Sequence, residues 1–199
     1  MDRAPQTITI RQMKAGGLPR ALRWNGIAGI LGCAILLALA AQVRVPVIGT
    51  PVPATLQLMA VLLTGYLLRP GPAAGAVWLY LAAGAIGFPV FAAGSRGLWG
   101  VTGGYLVGFP IAAWLISVLR GDARTSFARL LGAGAAGTFV IFALGILWSM
   151  VFFNVELIPA LRVGFAPFAI KTIVELFLIA GLATKIHKRG RVDTRCSAP

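Results

Sequence analysis

Lys171 lies inside the apolar run Phe165 to Ile186, well short of its basic end at Lys185, and Glu175 follows four residues later. On a helix that spacing puts both on one face. A lysine at the centre of a bilayer helix costs about 2.5–3.5 kcal/mol on insertion scales, so an ionisable group there is a functional candidate by default. Mutual neutralisation of the pair inside a bundle is the plain alternative. The two roles coexist, because a paired ammonium keeps N–H donors for a ligand. Counted from Phe165 at 1.5 Å per residue, Lys171 is expected roughly 9 Å below the end of its helix.

A second concentration of usable chemistry runs from Gly87 to Phe109. This stretch is rich in glycine, which lets backbone approach a ligand closely. Arg96 within it can meet an anion. Phe91, Trp99 and Tyr105 offer rings for an apolar ligand. Gln57, Tyr80 and Asn154 are lone polar groups in or beside apolar runs, where hydrogen bonding between helices competes with ligand binding. Gln57 follows Pro51, Pro53 and Thr55 and is expected at the mouth of its helix.

Catalytic patterns are missing from the sequence. It contains no G-x-x-x-x-G-K-[ST], no G-x-S-x-G and no H-E-x-x-H. Cys33 and Cys196 have no metal-ligand spacing, and His187 reads as a solvated helix end. No metal site, cofactor or enzymatic activity is expected. Gly132-Ala-Gly-Ala-Ala-Gly137 matches a dinucleotide fingerprint in letters, but lies inside an apolar run where small residues serve helix packing. Ala34 and Ala38 form a small-xxx-small pair, expected either in bundle packing or on a face that docks a partner membrane protein.

These groups must be positioned by apolar helices. Of the 199 residues 58% are hydrophobic and 12% charged, well below the roughly 25% charge of soluble domains. Six runs are expected to span a bilayer: 26–43, 55–68, 72–86, 103–119, 130–153 and 165–186. The expected fold is an all-α integral membrane protein, with a basic segment 1–25, a six-helix domain 26–186 and a basic tail 187–199. The net charge of +13 is explained by orientation rather than by nucleic acid. Fourteen Lys and Arg fall on the face carrying both termini, against three (Arg44, Arg96, Arg162) on the other. The positive-inside rule then puts both termini in the cytoplasm and the 87–102 loop outside. A cleaved leader ending near Ala38-Leu39-Ala40 is the rival reading, but the run from Gly26 is long for a signal core of about 7–15 residues.

Three motifs carry a resemblance. Pro51-Val-Pro-Ala-Thr-Leu-Gln57, Leu79-Tyr-Leu-Ala-Ala-Gly-Ala-Ile-Gly-Phe-Pro-Val-Phe91 and Thr102-Gly-Gly-Tyr-Leu-Val-Gly-Phe109 resemble the BioY family. These proteins are biotin-specific substrate-binding (S) components of energy-coupling factor (ECF) transporters. The resemblance covers roughly residues 26 to 186. It implies six membrane helices in the bacterial cytoplasmic (inner) membrane and biotin captured under the extracellular loops. It also implies a transmembrane coupling (T) protein and a pair of ATPases as partners, with Ala34 and Ala38 on the surface facing the T protein. Carried onto this sequence, the ligand residues are Gln57, Tyr80, Thr102, Gly103, Gly104, Tyr105 and Lys171, to which the residues themselves add Phe91, Arg96, Trp99 and Asn154. Two departures stand out: Val101 replaces a proline, and Phe168 occupies the acidic position of an Asp-x-x-Lys pattern that ends at Lys171. The alternatives are an S component for another vitamin and a non-transporting structural membrane subunit.

Overall fold

A computed structural model describes residues 26–47, 50, 52–92, 97–121 and 126–196, with side chains as far as Ile186. The described residues are helical almost throughout. In order come α1 (Ile27–Gln42), a two-residue strand pair β1 (Arg44–Val45) and β2 (Ala54–Thr55), α2 (Gln57–Leu67) and α3 (Pro70–Ala85). A 3₁₀ turn (Gly97–Trp99), α4 (Gly103–Arg120), α5 (Phe127–Phe153), α6 (Leu157–Gly164), a second 3₁₀ turn (Ala166–Phe168) and α7 (Ala169–Cys196) complete it.

The boundaries follow from local chemistry. Pro70 opens α3, where its missing N–H and fixed φ are harmless, and the preceding Arg69 is held extended. Ser126 accepts a hydrogen bond from the Arg129 amide and caps α5. Asn154 ends α5 in the left-handed region, at φ 50°. β1 and β2 pair antiparallel, Arg44 against Thr55 and Val45 against Ala54, which ties the exit of α1 to the entry of α2.

Three helical segments are long and apolar enough to cross a membrane: Gly103–Arg120, Phe127–Phe153 and Leu157–Ile186. The last joins α6, the 3₁₀ turn and α7. The remaining helices are shorter; the 16 residues of α1 reach roughly 24 Å at 1.5 Å per residue, against a hydrocarbon core of about 30 Å. All six expected runs are helical. The sequence reading missed α6, and α7 runs on to Cys196, through most of the expected tail.

Helix α4 is central and packs against α2, α3 and α5. Ile116 is fully buried and fills the space that a Cβ would take at Gly65 on α2 and at Gly137 on α5. The glycines therefore serve close helix approach. Gly132, Gly134 and Gly137 all lie within α5, well past its start at Phe127 rather than in a turn opening a helix, which removes the dinucleotide reading. Ala34 is 8% exposed and faces the core with Cys33 and Leu37, and Ala38 packs against the same core. In this packing the pair makes contact within the bundle, the first of its two expected roles. The outward face of α1 carries Ile27, Leu31, Ile35, Leu39 and Val43 instead.

Candidate functional site

A cavity opens at the end of the bundle where α2 and α7 begin. It is walled by the β2 segment, α2, α3, α4, α5, α7 and residues 91–92. Its volume is about 90 Å³, several times the roughly 10–15 Å³ that a single water needs. The space suits a small organic molecule.

One side is polar. Gln57, the first residue of α2, donates from Nε2 to the Tyr80 hydroxyl on α3 at 2.8 Å. Its Oε1 accepts from Thr55 Oγ1 at 3.1 Å. The turn into α2 thus fixes the amide before any ligand arrives. Tyr80 accepts from Gln57 and keeps its own O–H to donate. The opposite side is α7, where Lys171 and Thr172 line the cavity and Lys171 Nζ meets Glu175 Oε1 at 2.7 Å. Lys171 stands in the first turn of α7, which begins only after the separate 3₁₀ turn of residues 166–168.

Between these poles the wall is aromatic. Phe91 meets Tyr80 edge to face at 5.5 Å, and Phe142 meets Tyr105 the same way at 6.0 Å. The Tyr105 hydroxyl donates to the Gly164 carbonyl at 2.9 Å, tying α4 to the end of α6. Leu106, Phe109, Ile141 and Phe168 complete the apolar surface.

Six expected residues therefore meet at one cavity: Gln57, Tyr80, Phe91, Thr102, Tyr105 and Lys171. Trp99, Gly103, Gly104 and Asn154 do not line it. Trp99 is 81% exposed on its 3₁₀ turn. The tryptophan that packs beneath this loop is Trp148, whose Nε1 donates to the Gly100 carbonyl at 3.0 Å. Gly103 and Gly104 are spacers: a Cβ at either would meet the Trp148 side chain. Asn154 is exposed and acts as the end of α5. Arg96 lies outside the described residues. Sequence reasoning missed Ile141 and Phe142, which sit in an apolar run without a mark of their own, and Thr172, overshadowed by its neighbour Lys171. Phe168 was noted only as a departure from a pattern, yet it forms part of the wall. Among the described residues no group of His, Cys, Asp and Glu could hold a metal ion.

Comparison with known proteins gives a consistent picture. The sequence model described as the BioY family matches residues 13–191. The chain is 37% identical to "Biotin transporter BioY" of Thermotoga maritima over 156 residues, covering 77% of this chain and 90% of that one. It is 35% identical to "Biotin transporter BioY2" of Lactococcus lactis subsp. cremoris over 158 residues, covering 77% and 85%. The crystal structure of the S-component for biotin from an ECF-type ABC transporter superposes with a TM-score of 0.72 at 21% identity, covering 81% of this chain and 89% of that one.

Proposed function

Because the chain belongs to the BioY family, we propose that it takes up biotin, which it captures in the cavity between Gln57 and Lys171. Its role is transport, not catalysis. The observation that supports this most is the meeting of Gln57, Tyr80, Phe91, Thr102, Tyr105 and Lys171 at one cavity, although they are spread over more than a hundred residues of sequence. Biotin has a compact fused ring, a ureido group with a carbonyl acceptor and N–H donors, and an anionic tail. The aromatic wall encloses the rings. Tyr80, Gln57 and Lys171 supply donors, and Thr55 and Gln57 supply hydroxyl and amide oxygens. By sequence alone, Arg96 is a second cation for the carboxylate.

In this reading residues 26–186 form a six-helix membrane domain in the bacterial cytoplasmic membrane, with segments 1–25 and 187–199 in the cytoplasm. The shorter helices reach across through their apolar flanks. The cavity lies just below the exterior face. The likeness to an S component supports an ECF arrangement, in which a T protein and paired ATPases supply the energy.

Calorimetry on the full chain in detergent, with biotin and a panel of other vitamins, tests the reading. Tight binding of biotin, weakened in Lys171→Ala or Arg96→Ala, is the expected result. Retention of a different vitamin would identify another S component. Retention of none would favour a structural subunit.

A further inference from the structure

Glu175 is buried, with its side chain 4% exposed, and its Oε1 lies 2.7 Å from Lys171 Nζ. Lys171 lines the cavity but Glu175 does not. The carboxylate thus sits behind the ammonium, one helical turn further from the start of α7. Glu156, the other acid with a described side chain, is exposed.

Three physical points argue that this pair is more than helix stabilisation. A lysine preceding a glutamate at i,i+4 is the less favourable order on an isolated helix. A cation in the first turn also opposes the helix dipole. Finally, a buried ion pair is often no more stable than apolar residues of the same volume. Its consistent effect is geometric. Long side chains on a helix lean toward its N-terminus, which carries the Glu175 carboxylate up to the Lys171 ammonium, 2.7 Å away.

Resting on the biotin reading above, we propose that Glu175 is a positioning residue that fixes the Lys171 ammonium at the cavity wall and so sets ligand affinity without touching the ligand. Phe168, three residues before Lys171, lines the cavity with an apolar ring. Among residues with described side chains, the carboxylate that orients the lysine therefore comes from the deeper turn.

The test uses the full chain in detergent and the variants Glu175→Gln, Glu175→Asp, Lys171→Met and Lys171→Met/Glu175→Gln. Losing a hydrogen bond to a charged partner is expected to weaken biotin binding by about tenfold or more in Glu175→Gln. The double variant should bind as Lys171→Met does, because Glu175 acts only through Lys171. Glu175→Asp keeps the charge and should recover part of the affinity. A ligand-free readout runs alongside: amine-reactive labelling of Lys171, followed by mass spectrometry and referenced to exposed Lys185, should speed up several-fold in Glu175→Gln and return toward wild type in Glu175→Asp. Wild-type affinity in Glu175→Gln, or a loss that adds in full to that of Lys171→Met, overturns the proposal while leaving the biotin reading intact. If the wild-type chain retains no biotin, the biotin reading falls, and unchanged labelling of Lys171 then overturns the positioning role as well.

Discussion

The Gln57 amide donates to the Tyr80 hydroxyl at 2.8 Å across 23 residues of sequence, joining the first turn of α2 to the last turns of α3. Both side chains are buried, at 6% and 1% exposure. A buried amide needs this partner, and the partner in turn fixes which donors face the cavity. Tyr80→Phe keeps the ring against Phe91 but removes the acceptor. It should lower stability by about 1–3 kcal/mol, the usual cost of stranding a buried polar group. Thermal unfolding in detergent without ligand would show the loss, and calorimetry should show weaker biotin binding than in wild type.

Phe91 is gripped from two sides. A Cβ at Gly84 on α3, or at Gly97 in the first 3₁₀ turn, would run into its ring. Gln42 Nε2 lies 3.5, 3.4 and 3.4 Å from the carbonyl oxygens of Pro89, Val90 and Phe91. Phe91→Ala removes an aromatic wall from the cavity, and Gly84→Val should displace it. Both are expected to speed biotin release, since changes at a preformed site fall mainly on the off-rate. Release of radiolabelled biotin followed by rapid filtration measures this; an unchanged rate in Phe91→Ala would place the ring outside the path.

Gly104 and Gly132 make a matched pair. A Cβ at Gly104 would meet Trp148 Cβ and the Leu144 carbonyl oxygen, whereas at Gly132 nothing lies within 4 Å. Gly104→Ala should force α4 from α5 and destabilise by about 1–3 kcal/mol, as overpacking does. Gly132→Ala should be neutral or slightly stabilising, because alanine is the better helix former. Denaturant titration of the two variants separates the outcomes.

Orientation is checked by accessibility. With Cys33→Ala and Cys196→Ser as background, a cysteine at Val45 should react with a membrane-impermeant maleimide in intact cells. A cysteine at Ala128 should react only after permeabilisation. Both positions are exposed. The reverse pattern would put the cavity on the cytoplasmic side.

Helix order was legible in the sequence, as was most of the polar half of the site. Apolar runs separated by Pro70, Gly121 and the glycine-rich loop are long enough to satisfy their backbone hydrogen bonds within themselves as helices, the simplest solution where water is scarce. Gln57, Tyr80 and Lys171 stood out because polar groups in such runs are few. What the chain could not announce was direction. Phe139 and Phe142 lie three residues apart on α5 and are chemically identical, yet the first is 74% exposed and the second 9%. In water that difference would appear as amphipathic periodicity. Toward lipid both faces of a helix are apolar, so the pattern vanishes. The same blindness pointed to Trp99 where Trp148 does the packing, and left the Ala34–Ala38 face undecided between bundle and partner. It also hid α6, whose eight residues include Pro159 and Arg162. Composition fixed the helices and the scarce polar groups. Only close packing, through the small-residue notches that admit Ile116, Trp148 and Phe91, decided which side chains share the cavity.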